Sequence, residues 1–519
     1  MNSPSWPQVD VRRTEIDGVR VLWMPDSASF GAQLQFRVGM WDEPLRLRGI
    51  THLIEHLTLN PLRKTEHPFG GAVQGDQTTF WAQGEPERVA EFLERVCVGL
   101  SEGSAASIDH EAKVLAAEDR GRPRTAFDAL TTLLFGPNGP GVVDYAELAL
   151  DWVEEDDVRA WRSQWFTREN AVLCVQGEPP AALRLPLASG RSRPYELPPQ
   201  AFGQRFERPT NVAFQEAGVS WAGLGERSRG LTQSASMLQE RLMDRLRHEL
   251  GLVYSASCNY VRLDRQRALL LAGTDCDPKH ARRVSEEFVG ILSAFAESGP
   301  SEDEMARMRR MSVQAAQAEP ESFRLSELFR EARSLLLEHE HESMDAHWQR
   351  THALDAETLR ADFAACFRTS IAIAPEGTPG LETMQAIDDG PLPGTSFRIR
   401  VPSAGFDELR VGSEGLAGRF HGRWSHLLWK DLVLCHRVRA DVLQLYSRTG
   451  TGMLLGIQDW KRSKQLRRAL DEHLPRERIV ESKRQVLASA LLPESDRTYV
   501  DGDGLFETLG RWWRRVFGG

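Results

Sequence analysis

Nine residues, Gly49-Ile50-Thr51-His52-Leu53-Ile54-Glu55-His56-Leu57, constrain this chain more than any other stretch. Ile50, Leu53, Ile54 and Leu57 recur at helical spacing behind a glycine, which predicts a helix opening just after Gly49. On that helix His52 and His56 are four apart and share a face. Two neutral imidazoles so placed can hold one zinc ion, and Glu55, beside the same face, can take a proton from water. The order His-x-x-Glu-His is an inverted form of the zinc-binding helix. The alternative is a helix that carries two surface histidines. A third ligand would decide between the two, because a catalytic zinc site takes three protein ligands and leaves one position open.

A candidate third ligand lies further along. Ile108 to Glu118 predicts another helix, on which Glu111 and Glu118 stand two turns apart and face the same way. Glu118 can complete a His, His, Glu set, with Glu111 behind it orienting a ligand by hydrogen bonding. Two solvated glutamates on an exposed face are the competing reading.

The run Val38-Gly39-Met40-Trp41-Asp42-Glu43-Pro44, the His-x-x-Glu-His helix and the Glu111/Glu118 pair together resemble the pitrilysin/insulinase family of zinc metallopeptidases. The resemblance spans about residues 15–380. It implies one zinc per chain on His52, His56 and Glu118, with Glu55 as general base. It also implies an α+β fold of two duplicated α/β sandwich domains arranged as a clamshell, here followed by a smaller α+β extension.

Within Arg245 to Ser255, a helix is expected to end at Gly251 and Tyr254 to enter a strand. Arg247 and Tyr254 match an Arg/Tyr pair of the family, which implies that they grip substrate backbone and help stabilise an oxyanion. A helix-terminal Arg and a core Tyr are the plain alternative. Gly70-Gly71 reads as a turn and the residues after it as strand. In the family an Asn-Ala strand at this place pairs with extended substrate. Here Gln74-Gly75 stands in its position, and only 61 residues separate His56 from Glu118.

Half-size members of the family pair, so the resemblance implies a homodimer, or a heterodimer with a related subunit, in which Arg247 and Tyr254 serve the partner's zinc. The implied substrates are short or unfolded peptides, including leader or processing peptides. A non-catalytic structural subunit of such a complex is the alternative.

Linker composition divides the chain into a zinc-binding domain (1–187), a linker (188–205), a second peptidase-like domain (206–380), a second linker (381–398) and an extension (399–519). The extension shows short strand-like runs, such as Asp431 to Leu434 and Val442 to Tyr446. A helix from Arg462 to His473 follows them, an order weakly similar to a pleckstrin-homology-type barrel. Leu505 to Phe517 is amphipathic and suits a membrane surface, a partner groove or its own domain. A cluster of His339, His341 and His347 reads as a solvated helix end. The net charge of −10 argues against nucleic acid as a partner. Of six scattered cysteines, Cys97, Cys174 and Cys366 sit in apolar or helical runs and read as small, buried and reduced, and no signal peptide or apolar run of membrane-spanning length is seen. These features together predict a cytoplasmic protein.

Overall fold

The structure, a computed structural model, describes residues 9–25, 29–63, 67–122, 125–198, 210–213, 218–318, 320–337, 341–383, 388–400, 406–420 and 422–484. The amphipathic stretch 505–517 and His339 lie outside them. Among the described residues, no helix is long and apolar enough to cross a membrane.

The first half comprises strands β1 (Arg12–Ile16), β2 (Val19–Met24) and β3 (Gly31–Phe36), helix α1 (Ile50–Leu59), and strands β4 (Phe69–Val73) and β5 (Thr78–Gln83). Helices α2 (Pro86–Glu102), α3 (Ile108–Gly121), α4 (Ala126–Phe135) and α5 (Glu155–Trp165) follow, and strand β6 (Ala171–Gln176) closes the half. Its six strands run β1-β2-β6-β3-β5-β4, so β4 is an edge. Leu34 and Phe36 of β3, Phe80 of β5, Leu53 and Ile54 of α1, Phe92 and Val96 of α2 and Trp161 of α5 share one core.

The second half repeats this plan. Strands β7 (Thr210–Ala213) and β8 (Val219–Glu226) precede α6 (Arg229–Leu242), which continues into a π-helical turn, Met243–Glu249. Then come β9 (Ala256–Arg262), β10 (Arg267–Thr274), α7 (Ala281–Ser298), α8 (Glu302–Ala318), α9 (Pro320–Leu336), α10 (Met344–His352), α11 (Ala356–Arg368), β11 (Ile371–Ala374) and β12 (Glu382–Thr383). The strand order is β12-β7-β11-β8-β10-β9. The pairing of β6, parallel to β2 and antiparallel to β3, recurs in β11, parallel to β7 and antiparallel to β8. The fold is therefore α+β with an internal duplication, and α6 takes the topological place of α1.

The halves exchange helices. Leu130, Leu134 and Phe135 of α4 pack against Ala222, Leu269, Ile371 and Ile373 of the second sheet. Leu328, Ala332 and Leu336 of α9 pack against Leu22, Met24, Val172 and Cys174 of the first. Arg13 meets Glu331, and Asp76 meets Arg333, at 2.7 and 2.6 Å, fastening α9 at its polar rim. The periodicity reading passed over α4. Its start is fixed by a reciprocal Thr125/Asp128 capping box. Part of the first linker is laid down on the body: the Arg193 carbonyl accepts from Arg37 Nε at 2.7 Å, and Leu197 is buried.

The extension holds β13 (Thr395–Arg398), β14 (Phe406–Val411), β15 (Gly415–Phe420) and β16 (Arg423–Leu428) in one antiparallel sheet. A second sheet contains β17 (Leu432–Arg439), β18 (Val442–Ser447) and β19 (Gly452–Gly456). Both share a core with helix α12 (Ser463–His473), through Phe397, Leu409, Cys435, Leu445, Leu466 and Leu470. After α12 a last strand, β20 (Ile479–Glu481), returns to pair in parallel with β17. That return departs from a barrel closed by a terminal helix.

The aim of α1 is set by one carboxylate. Glu43 accepts from the Gly49 and Thr51 amides, both at 2.9 Å, and from Arg48 Nη1 at 3.0 Å. It thereby satisfies donors that the first turn of a helix leaves open. Glu43 and Arg48 are 2% and 1% exposed, so neither charge has water to fall back on. Gly49, at φ +100°, turns the chain into the helix in a conformation that side chains resist. Replacing Glu43 by Ala would take from the buried Arg48 guanidinium its directly bonded carboxylate, leaving Glu147 at 3.9 Å and the Val142 carbonyl. We expect a loss of about 3–5 kcal/mol, seen as an earlier first transition in urea unfolding.

Candidate metal centre

The helix spacing puts both imidazoles on one face of α1, with ring centroids 4.9 Å apart and nearly perpendicular. Each ring is held from behind by a buried carboxylate. His52 Nδ1 lies 3.0 Å from Glu147 Oε1, and His56 Nδ1 lies 3.2 Å from Glu111 Oε2. A proton on each Nδ1 donates to its carboxylate and leaves Nε2 with a free lone pair, the form a metal requires. Both Nε2 atoms face one space. Glu118 Oε2 is 3.9 Å from His52 Nε2 and 3.8 Å from His56 Nε2, and Glu55 Oε2 is 3.8 Å from each. His52, Glu55 and His56 bring ligand atoms within 4.8 Å of one another, and among the described residues they are the one group of this kind. Two neutral nitrogens and a carboxylate oxygen form a donor set suited to zinc. The residues present therefore fit the ion that the sequence suggests.

Glu111 and Glu118 both project from α3 toward α1, two turns apart. Glu111 is buried, whereas the Glu118 side chain is about half exposed, at 51%. Glu55 is buried against the edge strand. A Cβ on Gly71 would meet Glu55 Oε1 at 2.5 Å, and one on Gly70 would strike the Trp81 ring. This reassigns the two glycines: they lie within β4, and their role is close approach of backbone to side chains. The turn comes later. Gln74 N bonds to the Gln77 carbonyl, and the Gln74 and Gly75 carbonyls accept from the Met40 and Trp41 amides at 2.9 and 2.8 Å. The backbone of Gln74-Gly75 is thus committed to the turn, while the outer edge of β4 borders the histidine face.

Glu147 is the residue that sequence reasoning missed. It stands 95 positions from His52, before the 3-10 turn Leu148–Asp151, with no periodicity or motif to mark it. It is 6% exposed, lies 3.9 Å from Arg48, and its Oε2 has no hydrogen bond among the described residues. The lack of a side chain at Gly49 makes room for it, since a Cβ there would meet Glu147 Cβ at 2.6 Å. Beside it opens a cavity of about 250 Å³, lined by Met40, Arg48, His52, Val73, Glu118 and Arg122, among others.

Burial pushes the His52 pKa down, but the hydrogen bond and charge of Glu147, with Glu55 and Glu118 nearby, outweigh it, and the net direction is up. Burial raises Glu55 above the ordinary glutamate range against the pull of both histidines. For Glu147 the His52 partnership overcomes burial and lowers the pKa.

Arg247 lies in the π-helical turn, and its guanidinium sits 5.1 Å over the Tyr254 ring. Tyr254 precedes β9 instead of entering it, and it is 80% exposed. The two residues meet each other but touch none of the histidine cluster. Gly251 does end the helix, at φ +61°, with its amide bonded to the Arg247 carbonyl at 3.1 Å. His341 and His347 pair with Glu331 and Glu342, apart from one another's partners.

Residues 191–312 match the family described as Peptidase M16 inactive domain. No curated protein matches the chain. Among solved structures, a peptidase M16 inactive domain from Pseudomonas fluorescens is similar over 72% of this chain and 100% of its own, with TM-score 0.56 and 12% identity. A putative M16-like peptidase from Alicyclobacillus acidocaldarius is similar over 72% and 100%, with TM-score 0.57 and 16% identity. Pitrilysin is similar over 71% of this chain and 45% of its own, with TM-score 0.54 and 13% identity. These likenesses establish an M16-type fold. The family match covers most of the first linker and much of the second half, and the histidine cluster lies outside it.

In the metal-free protein we expect His52 to titrate above the ordinary imidazole range, and Glu147→Gln to bring its pKa down. Histidine-selective NMR across pH 5–9 measures both.

Proposed function

We propose that this chain is a zinc-dependent peptidase acting on short or unfolded peptides, with His52, His56 and Glu118 holding the ion. The observation that carries this reading is the convergence of both Nε2 atoms on one space beside Glu118 and Glu55, while buried carboxylates fix both Nδ1 atoms. A zinc ion held there supplies a Lewis acid that acidifies water and polarises a peptide carbonyl. Glu55 takes the proton from water at its carboxylate and passes it to the leaving amine. Its burial and raised pKa suit a group that must both accept and release a proton near neutrality. Glu118, from another helix and half exposed, suits a ligand that closes onto the ion.

The open edge of β4 suits an extended peptide added as a further strand, which would lay its backbone along the histidine face. The exposed Arg247–Tyr254 pair supports the expectation of a homodimer or related heterodimer, in which these residues reach substrate in another subunit's site.

The second reading is a non-catalytic subunit. The description of the matched family as inactive favours it. That match concerns the half without the histidines, and the complete histidine and glutamate set weighs against an inert role.

Metal analysis and cleavage of a mixed peptide library test the proposal. The wild type should hold about one zinc per chain. Glu55→Gln should keep the metal and lose turnover by about 10²–10⁴-fold, as removal of a general base does. Glu118→Ala should lose the metal. A wild type that takes up no zinc would overturn the peptidase reading in favour of the non-catalytic one.

A further inference from the structure

The extension does not hang from the body; it reaches back to the elements that carry the carboxylates behind the two histidines. His436 on β17 and Asp151 are both 0% exposed. His436 Nε2 is 2.7 Å from Ser482 Oγ and 3.3 Å from Asp151 Oδ2, and the Ser482 hydroxyl donates to Asp151. The Asp151 carbonyl accepts the Lys483 and Arg484 amides at 3.0 and 3.1 Å. The Trp152 ring packs at 4.9 Å on His436, and Tyr145 at 5.8 Å on Tyr446. Asp151 ends the 3-10 turn that Glu147 immediately precedes, so the clamp is one turn from the carboxylate on His52. Arg484 also bonds to Asp109 at 2.5 Å, in the first turn of the helix bearing Glu111 and Glu118.

We propose that the extension is a positioning device for the metal centre: His436 and Ser482 lock Asp151, and the locked turn holds Glu147 on His52. This rests on the zinc reading above. The arrangement has a physical motive. Residues 145–154 carry no strand and no α-helix before Glu155; their regular structure is the short 3-10 turn Leu148–Asp151, closed by local bonds such as Leu150 N to the Glu147 carbonyl at 3.1 Å. A carboxylate that must orient an imidazole needs support from elsewhere. The buried polar cluster gives that support with direction, because the contacts of His436 Nε2 and Ser482 with Asp151 form in one register of β17 against the turn, while His436 Nδ1 has no partner among the described residues.

The test uses the full chain and zinc itself, with affinity measured by chelator competition. His436→Ala and Glu147→Gln should each weaken zinc by about tenfold or more, the range for loss of a group that orients a ligand. The double variant should be no weaker than the worse single one, because both act through one contact. His436→Gln, which keeps an amide where Nε2 lies, should recover most of the affinity. Zinc binding by His436→Ala equal to wild type, or losses that multiply in the double variant, would overturn the proposal. A second measurement needs no metal. Hydrogen exchange over residues 145–152 should rise at least about tenfold in His436→Ala, with β8 and β10 unchanged. A chain that loosens there yet binds no zinc even as wild type sinks the zinc reading and keeps the clamp. A chain in which 145–152 exchanges as in wild type sinks the clamp.

Discussion

One buried carboxylate sets everything downstream. Glu43 gathers two helix amides and a guanidinium, and in doing so fixes where α1 starts and which way it points. From that start the histidines fall on their face by helix geometry alone. The left-handed glycine that precedes the helix leaves the space that Glu147 fills, and the glycine-bearing edge strand lies close enough to press on Glu55. The pair formed by Glu43 and Arg48 is costly to bury and costlier to break, which makes the orientation of α1 hard to alter piecemeal.

The duplication shows how one plan can be put to two uses. In the first half the helix after the third strand carries the His52, Glu55 and His56 cluster. In the second the corresponding helix ends in a π-helical turn and offers an arginine and an exposed tyrosine. Five strands of each sheet share order and pairing, while the sixth is β1, antiparallel to β2, in the first and β12, parallel to β7, in the second, so much of the difference lies in side chains at equivalent places. Fold alone therefore would not reveal which half holds the histidine cluster.

Much of the centre was legible because its members sit on helices, where spacing converts directly into facing. The facing of His52, Glu55 and His56, and of Glu111 with Glu118, needed only the helical period; that the second helix belongs beside the first was implied by the family resemblance. Glu147 was not legible, since its partner is distant in sequence and its backbone follows no repeat. Gly70-Gly71 was misread for a related reason. Glycine usually marks a turn, but here it marks a strand pressed against side chains, a fact that depends on Glu55 and Trp81. The strand after Tyr254 begins later than alternation suggested, and α4 was overlooked because its apolar residues serve the other half's sheet. The α+β fold of two duplicated halves, by contrast, was implied by the family resemblance, and the second half does repeat the central pairing of the first.

That exchange of helices bears on how the chain is made. The first sheet is complete in sequence by residue 176, yet one of its faces is finished only by α9, more than a hundred residues later. During synthesis the newly made half carries Leu22, Met24, Val172 and Cys174 uncovered, while α4 waits for a sheet not yet translated. Exposed faces of this kind are where nascent chains stick to one another. The order of translation thus builds in an interval of vulnerability, closed only when the second half emerges and each half receives its missing cover.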